Sequence, residues 1–335
     1  MNLKNNPEKK TLKPQFKTMS NSSKQTISPW LLVADAVLLL LIVYMFALAS
    51  GKLNHPKRDI NPGTLTEENA LPSPAFANVR LQAKAAYVYD VAENKVLYQK
   101  NASAQLPLAS LTKLMMALTA TDLLPSNSHI TVRKEFLAED GDNGLLPNES
   151  WKLKNLLDFS LVVSSNDGAR SIASVVGAAG LEDHNYDIGR KQFIQKMNDR
   201  AKELGLAQTY FINESGLDEG SVSGGYGSAE NVARLVSYML SSHPDILEAT
   251  THPALSISSL SKKHVAINTN TDLKYIPGLL ASKTGFTDLA GGNLTVAFDA
   301  SMEHPIIVVV LGSTEQGRFS DVDELVDAAL EQIHS

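Results

Sequence analysis

A serine and a lysine three residues apart, Ser110 and Lys113, stand at the head of the continuous apolar run Leu114–Leu118. This run predicts a helix that is buried on nearly all sides rather than an amphipathic surface helix. Residues three apart share one helix face, so the hydroxyl and the amine are expected to lie side by side, away from water. Such a pair can form a nucleophile, because a lysine that is buried and uncharged can accept the proton of a serine.

The S-x-x-K pattern is weak evidence by itself. A chain of this composition is expected to contain roughly one or two such matches by chance. A second match, Ser259 with Lys262, is interpreted as one of these. The weight of Ser110 and Lys113 therefore depends on what the rest of the chain supplies.

Two further polar motifs follow in order. Ser164-Ser165-Asn166 lies in a predicted loop between helices, and Lys283-Thr284-Gly285 lies in a predicted late strand. Taken singly, each has a structural explanation: the first serine as a helix cap, the lysine as an edge-strand charge, the glycine as a packing residue. S-x-x-K, S-x-N and K-T-G in this order, on helix, loop and strand, are typical of penicillin-binding proteins and serine β-lactamases.

The predicted elements show how these motifs are positioned. Strand patterns occur near both ends of the folded part, whereas the middle has helix-like spacing, and strands are expected to return only late. This order predicts an α+β fold with one antiparallel sheet built from both ends of the domain and a mainly helical middle. The predicted strands are 85–90, 95–98, 279–287, 293–299 and 306–311, and the predicted helices after the Ser110 helix are 152–163, 167–176, 192–204, 229–240 and 321–333.

From about residue 85 to residue 330, the chain resembles the low-molecular-mass D-alanyl-D-alanine carboxypeptidases, the serine peptidases that trim peptidoglycan stem peptides. The resemblance rests on five short stretches of sequence. It implies a β-lactamase/transpeptidase-like fold with a five-stranded antiparallel sheet between helical layers. The stretches are ASLTKLM at 109–115, SSND at 164–167, GLD at 216–218, KTGFT at 283–287 and AG at 290–291.

The resemblance implies three catalytic residues. Ser110 attacks the carbonyl between two D-alanines and holds the acyl group until water releases it. Lys113 is the expected base, because burial and a second nearby cation, Lys283, both favour its neutral form. Ser164 relays the proton to the leaving amine.

The resemblance also implies a substrate-binding set. Asn166 is expected to hydrogen-bond the substrate backbone and to position Lys113. Lys283 is expected to supply positive charge, and Thr284 a hydroxyl for the terminal carboxylate. The N–H groups of Ser110 and Phe286 are expected to form the oxyanion hole. Arg318 is expected to help bind that terminal carboxylate, and the alternative for it is an ordinary solvated surface charge. The predicted set is Asn166, Lys283, Thr284, Gly285, Phe286 and Arg318.

Several alternatives stay open at this point. A D,D-endopeptidase acting on cross-links would use the same residues, and a wall-binding or sensor module would acylate without turning over. A β-lactamase would need a carboxylate that activates water, and Glu203 in E-L-G-L-A is a near miss to the E-x-x-L-N pattern. Phe286 stands where some members of the family have histidine. No cofactor or metal is predicted, since the chain has no cysteine and no H-E-x-x-H motif.

Charge and hydropathy predict the remaining organisation. Residues 1–28 have a net charge of +5 and are predicted to be a cytoplasmic basic leader. Because the whole chain has a net charge of −6, the remainder is acidic. An acidic body argues against a nucleic-acid partner. Residues 29–49 form an apolar stretch close to the roughly twenty residues of a membrane-spanning helix. A signal-anchor is expected there, with cleavage after Ala47-Leu48-Ala49 as the alternative.

The lysines that precede this stretch predict a protein that crosses the cell membrane once, with its N-terminus in the cytoplasm and its catalytic domain outside. Residues 50–78, rich in proline, are predicted to be a flexible tether, and residues 79–335 to be the serine peptidase domain. The better-known members of the family continue into a second β-rich domain and a C-terminal anchor, which the N-terminal apolar segment is expected to replace. The expected partners are stem peptides ending in D-Ala-D-Ala, β-lactams as inhibitors, and the membrane.

Overall fold

The computed structural model describes residues 73–137, 141, 144–183 and 185–335. The predicted leader 1–28, the predicted anchor 29–49 and the predicted tether up to residue 72 lie outside the described residues. In the part of the chain that is described, no helix is both long enough and apolar enough to cross a membrane.

The described residues form short 3-10 turns, seven α-helices and twelve strands. The helices are α1 (Thr112–Leu123), α2 (Leu153–Val162), α3 (Asn166–Ala178), α4 (Tyr186–Glu203), α5 (Ala229–Ser242), α6 (Pro244–Glu248) and α7 (Gly317–His334). The strands are β1 (Ala85–Asp90), β2 (Lys95–Lys100), β3 (Leu106–Pro107), β4 (His129–Thr131), β5 (Ser150–Lys152), β6 (Tyr210–Phe211), β7 (Gly225–Gly227), β8 (Ala254–Ser258), β9 (Lys263–Ile267), β10 (Leu279–Thr287), β11 (Gly291–Asp299) and β12 (Pro305–Ser313).

The central sheet has five antiparallel strands in the order β10-β11-β12-β1-β2. The two ends of the domain therefore meet in one sheet, which confirms the predicted α+β architecture. Strand β12 lies in the middle of the sheet, and its residues 306–311 are buried on both faces. An apolar strand without polar alternation is the expected pattern for such a position.

Alternate residues of β12 serve two different cores. Ile307 and Val309 belong to the larger core, which also contains most of α1, whereas Val308 and Val310 pack in a second core with α7. Since successive strand residues point to opposite faces, one strand holds both layers together. The sheet thus lies between helical layers.

Helix α1 is buried all round, as the sequence predicts. Every residue from Thr112 to Ala120 is buried, Lys113 included. The helix is preceded directly by a 3-10 turn, Ala109–Leu111, which carries Ser110. The predicted helix therefore begins slightly later than expected, and the proposed nucleophile lies in the turn before it.

The expectation that strands return only after residue 279 is wrong. The middle of the chain contains the hairpin β8–β9 and several strands of two or three residues. The hairpin was missed because two of its large apolar residues face outward: Val265 is 70% exposed and Ile267 is 67% exposed. Strands this short, stabilised by their neighbours, carry little local signal.

The folded part also begins before the predicted boundary at residue 79. Pro74–Phe76 form a 3-10 turn that opens with the proline. The Phe76 side chain is only 2% exposed and stacks on Tyr98 with ring centroids 5.4 Å apart. The last residues of the predicted tether are therefore packed against the domain.

Candidate active site

The turn before α1 holds Ser110 in a constrained backbone. The preceding residue, Ala109, has φ of 47°, a left-handed conformation that is uncommon for a residue other than glycine. Gly216 packs against it so closely that a Cβ on residue 216 would lie 1.8 Å from the Ala109 carbonyl oxygen. The position of Ser110 is thus fixed by a close backbone contact with a distant loop.

Lys113 lies directly beside Ser110. Its Nζ donates to Ser110 Oγ at 2.9 Å, to Asn166 Oδ1 at 2.7 Å and to the Ser215 carbonyl oxygen at 2.8 Å. The side chain is 0% exposed. A distance of 2.9 Å is within reach of direct proton transfer between the serine hydroxyl and the amine.

A second serine–lysine pair lies beside the first. Lys283 Nζ donates to Ser164 Oγ at 2.9 Å and to the Thr284 carbonyl oxygen at 2.8 Å. Burial, reinforced by the positive charges of Lys113 and Arg318, holds the pKa of Lys283 well below the ordinary value for lysine. The two lysines are therefore electrostatic neighbours, as the sequence-based hypothesis requires.

Ser164 is not the helix cap that its sequence position suggests. Ser165 caps α3, because its hydroxyl accepts a hydrogen bond from the Gly168 N–H at 3.0 Å. Ser164 instead accepts the hydrogen bond from Lys283, and its backbone has a left-handed conformation with φ of 60°. Strained conformations of this kind cost stability and are common at functional sites.

Gly285 brings strand β10 close to the nucleophile. A Cβ at residue 285 would lie 2.9 Å from the Leu108 carbonyl oxygen and 3.2 Å from the Ser110 nitrogen. Strand β10 is at the edge of the described sheet, so it can offer backbone groups to an extended peptide. Phe286, the next residue, is 44% exposed.

Arg318 is buried rather than solvated, which rules out the surface-charge alternative. It is 7% exposed, its Nη1 donates to the Gly285 carbonyl oxygen at 2.9 Å, and its guanidinium lies 4.8 Å from the Phe319 ring centroid. Burial lowers the pKa of Arg318, and Glu315 partly opposes the change. The first turn of α7 thereby places a cation next to the K-T-G strand.

The structure brings the predicted residues together on four elements: the turn before α1, the loop before α3, strand β10 and the start of α7. Thr284, which is 4% exposed, bonds to the Thr269 hydroxyl at 2.6 Å. Glu203 belongs to a different environment. Its side chain is 62% exposed and is paired with Arg200 at 2.9 Å.

Sequence reasoning singled out GLD at 216–218 but missed the Ser215 carbonyl just before it as a hydrogen-bond partner of Lys113. Asn213 Oδ1 accepts from the Gly216 N–H at 2.8 Å, and Glu214, buried at 1% exposure, binds Arg190 Nε through both carboxylate oxygens at 3.0 and 2.9 Å. A backbone carbonyl has no sequence pattern of its own. The only signal in the sequence was the glycine at 216, which the structure shows to have a φ of 82°.

No group of three or more histidine and carboxylate side chains in the described residues could hold a metal ion. The chemistry available among these residues is that of hydroxyls, amines, an amide and backbone groups. A serine bonded to a buried lysine can form an acyl-enzyme, and the adjacent cations can bind an anionic substrate.

Two serines hydrogen-bonded to buried lysines, on a five-stranded antiparallel sheet between helical layers, place the protein in the class of penicillin-binding serine peptidases and related enzymes. More specifically, the chain belongs to the D-alanyl-D-alanine carboxypeptidase family, whose family model matches residues 70–315. This agrees with the family to which the motifs pointed.

Relatives of both specificities are similar to the chain. The D-alanyl-D-alanine carboxypeptidase DacF of Bacillus subtilis is 30% identical over 257 residues, which are 75% of this chain and 63% of that protein. The chain thus matches less than two thirds of that relative. A D-alanyl-D-alanine endopeptidase of Haemophilus influenzae is 31% identical over 228 residues, 66% of this chain and 70% of that protein.

Solved structures show the same fold. The ampicillin-bound structure of penicillin-binding protein D2 from Listeria monocytogenes matches with a TM-score of 0.64 and 30% identity, covering 75% of this chain and 98% of that one. A Streptomyces DD-transpeptidase matches with a TM-score of 0.68 at 22% identity, covering 75% and 99%. At that identity, the second match supports the fold alone.

Proposed function

We propose that the protein is a serine-type D-Ala-D-Ala carboxypeptidase that acts on peptidoglycan stem peptides through an acyl-enzyme at Ser110. The observation that carries this proposal is the 2.9 Å contact between Ser110 Oγ and the fully buried Nζ of Lys113. A buried amine beside a hydroxyl supplies a base for the nucleophile without histidine.

Acylation forms one bond and breaks another. Ser110 Oγ bonds to the carbonyl carbon of the penultimate D-alanine as its proton passes to Lys113 Nζ. The peptide C–N bond then breaks, and Ser164 delivers a proton to the departing nitrogen, its own proton being replaced through the adjacent lysines. The contact of Ser164 Oγ with Lys283 Nζ at 2.9 Å supports this relay.

Substrate binding and charge stabilisation follow from the neighbouring groups. The N–H groups of Ser110 and Phe286 form the oxyanion hole, where negative charge develops only during reaction. Thr284, Lys283 and Arg318 surround the terminal carboxylate with a hydroxyl donor and positive charge. Asn166 holds the substrate backbone while its Oδ1 orients Lys113 at 2.7 Å.

Deacylation reverses the proton movements. Water attacks the acyl carbon as its proton passes to Lys113 Nζ, the Ser110 Oγ–C bond breaks, and Lys113 returns that proton to Ser110 Oγ. A dedicated carboxylate base of the β-lactamase kind is not supplied by Glu203, which is exposed and paired with Arg200. This favours a peptidase that β-lactams inhibit over a β-lactamase.

An endopeptidase that cleaves D-alanyl cross-links is the second candidate function. It is favoured by the Haemophilus influenzae relative of that name, which is as similar to this chain as the carboxypeptidase of Bacillus subtilis. Both reactions use the same acylation chemistry. The group of Lys283, Thr284 and Arg318, suited to a free terminal carboxylate, supports the carboxypeptidase.

We also infer that the catalytic domain faces the cell wall, held at the cell membrane by residues 29–49. The apolar run of that segment and the lysines that precede it support this placement. Protease added to intact spheroplasts should degrade the catalytic domain and spare a short N-terminal fragment. Full protection of the domain would refute this placement.

Two assays test the function. Fluorescent penicillin should label the wild-type protein and not Ser110→Ala, and a peptide ending in D-Ala-D-Ala should release D-alanine. Labelling retained in Ser110→Ala would refute the site. Labelling without D-alanine release would refute the carboxypeptidase and favour a sensor, and cleavage of a cross-linked dimer instead would establish the endopeptidase.

A further inference from the structure

Thr269 joins two parts of the active site that are far apart in sequence. Its hydroxyl lies 2.6 Å from the Thr284 hydroxyl. Its backbone N–H donates to the carbonyl oxygen of Val162, the last residue of α2, at 3.2 Å. Val162 is two residues before Ser164, so Thr269 contacts both the strand that carries Thr284 and the end of the helix that leads to Ser164.

We propose that Thr269 is a positioning residue that orients the Thr284 hydroxyl toward the carboxylate of the substrate. The proposal rests on the proposed function, in which Thr284 receives that carboxylate. Thr269 is separate from all three sequence motifs.

The segment around Thr269 is rigidly held. Asn268 Nδ2 donates to the carbonyl oxygens of Thr250 and His252 at 2.9 and 3.1 Å. Asn270 Nδ2 donates to Ser282 Oγ at 2.8 Å, and both asparagine side chains are buried. With both neighbours fixed, the Thr269 side chain is held in place before substrate binds, which lowers the ordering cost of binding.

The chemistry of two hydroxyls decides the direction of their bond. Each hydroxyl has one proton to donate. A carboxylate only accepts, so Thr284 must give its proton to the substrate and must therefore accept from Thr269. In the described residues, the Thr269 hydroxyl has no other hydrogen-bond partner, so its proton is available for this contact.

Two features of this arrangement favour the donor state of Thr284. A hydroxyl that accepts a hydrogen bond becomes a better donor, because hydrogen bonds in a chain polarise one another. Two buried cations also lie near Thr284: Lys283 precedes it in the chain, and Arg318 donates to the carbonyl oxygen of Gly285, the residue that follows it. Their positive charge attracts the substrate carboxylate.

The test is a double-mutant cycle with Thr269→Val and Thr284→Val. Thr269→Val keeps the shape of the side chain and removes the hydroxyl, whereas Thr269→Ser keeps the hydroxyl. Thr271→Val is a matched control in the same segment, because the exposed Thr271 hydroxyl bonds only to Asp272 among the described residues. Penicillin, which carries a carboxylate, and a D-Ala-D-Ala peptide are the two substrates.

Thr269→Val is expected to lower the second-order acylation rate and kcat/KM by roughly 3- to 10-fold, mainly through KM, as for the loss of one neutral hydrogen bond. Thr269→Ser and Thr271→Val should stay within about twofold of wild type. On the Thr284→Val background, Thr269→Val should have no further effect, since the hydroxyl it orients is gone.

Equal losses in both backgrounds would overturn the proposal, because they would indicate a purely structural role. So would wild-type rates in Thr269→Val. A wild-type protein that is labelled by penicillin at Ser110 but releases no D-alanine would refute the proposed function alone, since the penicillin cycle would still decide the role of Thr269.

Discussion

Ser164 Oγ accepts a hydrogen bond from Lys283 Nζ at 2.9 Å, although the two residues are 119 positions apart in the chain. The neighbouring serine, Ser165, instead caps α3 through its bond to Gly168. Two adjacent serines of the same motif therefore have different partners, one in the candidate site and one in the scaffold.

Replacing each serine by alanine should separate these roles. Ser164→Ala is expected to slow acylation by penicillin about 10²- to 10⁴-fold, the usual worth of a proton-transfer group, with little change in melting temperature. Ser165→Ala should lower the free energy of unfolding by about 0.5–2 kcal/mol through loss of the cap, with acylation nearly unchanged. Stopped-flow acylation and thermal melts measure both, and equal acylation defects in the two variants would contradict the assignment.

Gly285→Ala should impair the reaction through a backbone displacement. The added Cβ would lie 2.9 Å from the Leu108 carbonyl oxygen and 3.2 Å from the Ser110 nitrogen, so β10 must move away from the nucleophile. Displacement by about 1 Å can cost on the order of 10²-fold in rate. Penicillin acylation measures the effect.

Gly180→Ala is the matched control, because nothing lies within 4 Å of a Cβ there. It should acylate at the wild-type rate. If Gly285→Ala did the same, the close approach of β10 to Ser110 would not matter for acylation.

Lys283 should make stability depend on pH. Its pKa is held well below that of an unfolded lysine, about 10.4, by burial and by the charges of Lys113 and Arg318. Between the two values, the unfolded chain binds more protons than the folded protein, so stability rises with pH across that window. Below the folded pKa, the full cost of burying the charge is present.

Lys283→Met is therefore expected to raise the melting temperature at neutral pH, by about 2–4 °C for each kcal/mol of desolvation relieved, and to flatten the rise at alkaline pH. Melts across the pH range, with the exposed Lys95→Met as control, measure this. A lower melting temperature with an unchanged pH slope would show that the lysine stabilises the fold.

Glu214→Gln should damage both the fold and the site. Glu214 is 1% exposed, and both of its carboxylate oxygens accept from Arg190 Nε. The glutamine has no negative charge, so the ion pair with Arg190 is lost. Breaking a buried pair costs about 3–5 kcal/mol, and the partial exposure of Arg190 places the expected value at the lower end. Because the next residue supplies the carbonyl that binds Lys113, acylation should also slow.

The control for this variant is Glu203→Gln. Its ion pair with Arg200 is solvent-exposed at the glutamate and should be worth less than about 1 kcal/mol. Denaturant unfolding and penicillin turnover measure both variants. A loss of penicillin turnover in Glu203→Gln would contradict the conclusion that this carboxylate has no part in deacylation.

Local patterns were sufficient for the long elements. The continuous apolar stretch of β12 and the apolar run Leu114–Leu118 in α1 predicted burial because these residues have no polar face to turn to water. The hairpin β8–β9 escaped prediction because Val265 and Ile267 are apolar yet exposed, which reverses the usual relation between hydropathy and burial.

The sequence by itself determined the α+β order of elements and the residue types of the site, because hydropathy period and the three motifs are local properties of the chain. Only the tertiary structure decided which serine meets Lys283, that the carbonyl of Ser215 binds Lys113, and that Thr269 bonds to Thr284. These contacts join residues far apart in sequence, and two of them use a backbone carbonyl or an ordinary threonine. Their positions depend on packing between elements, which no local pattern specifies.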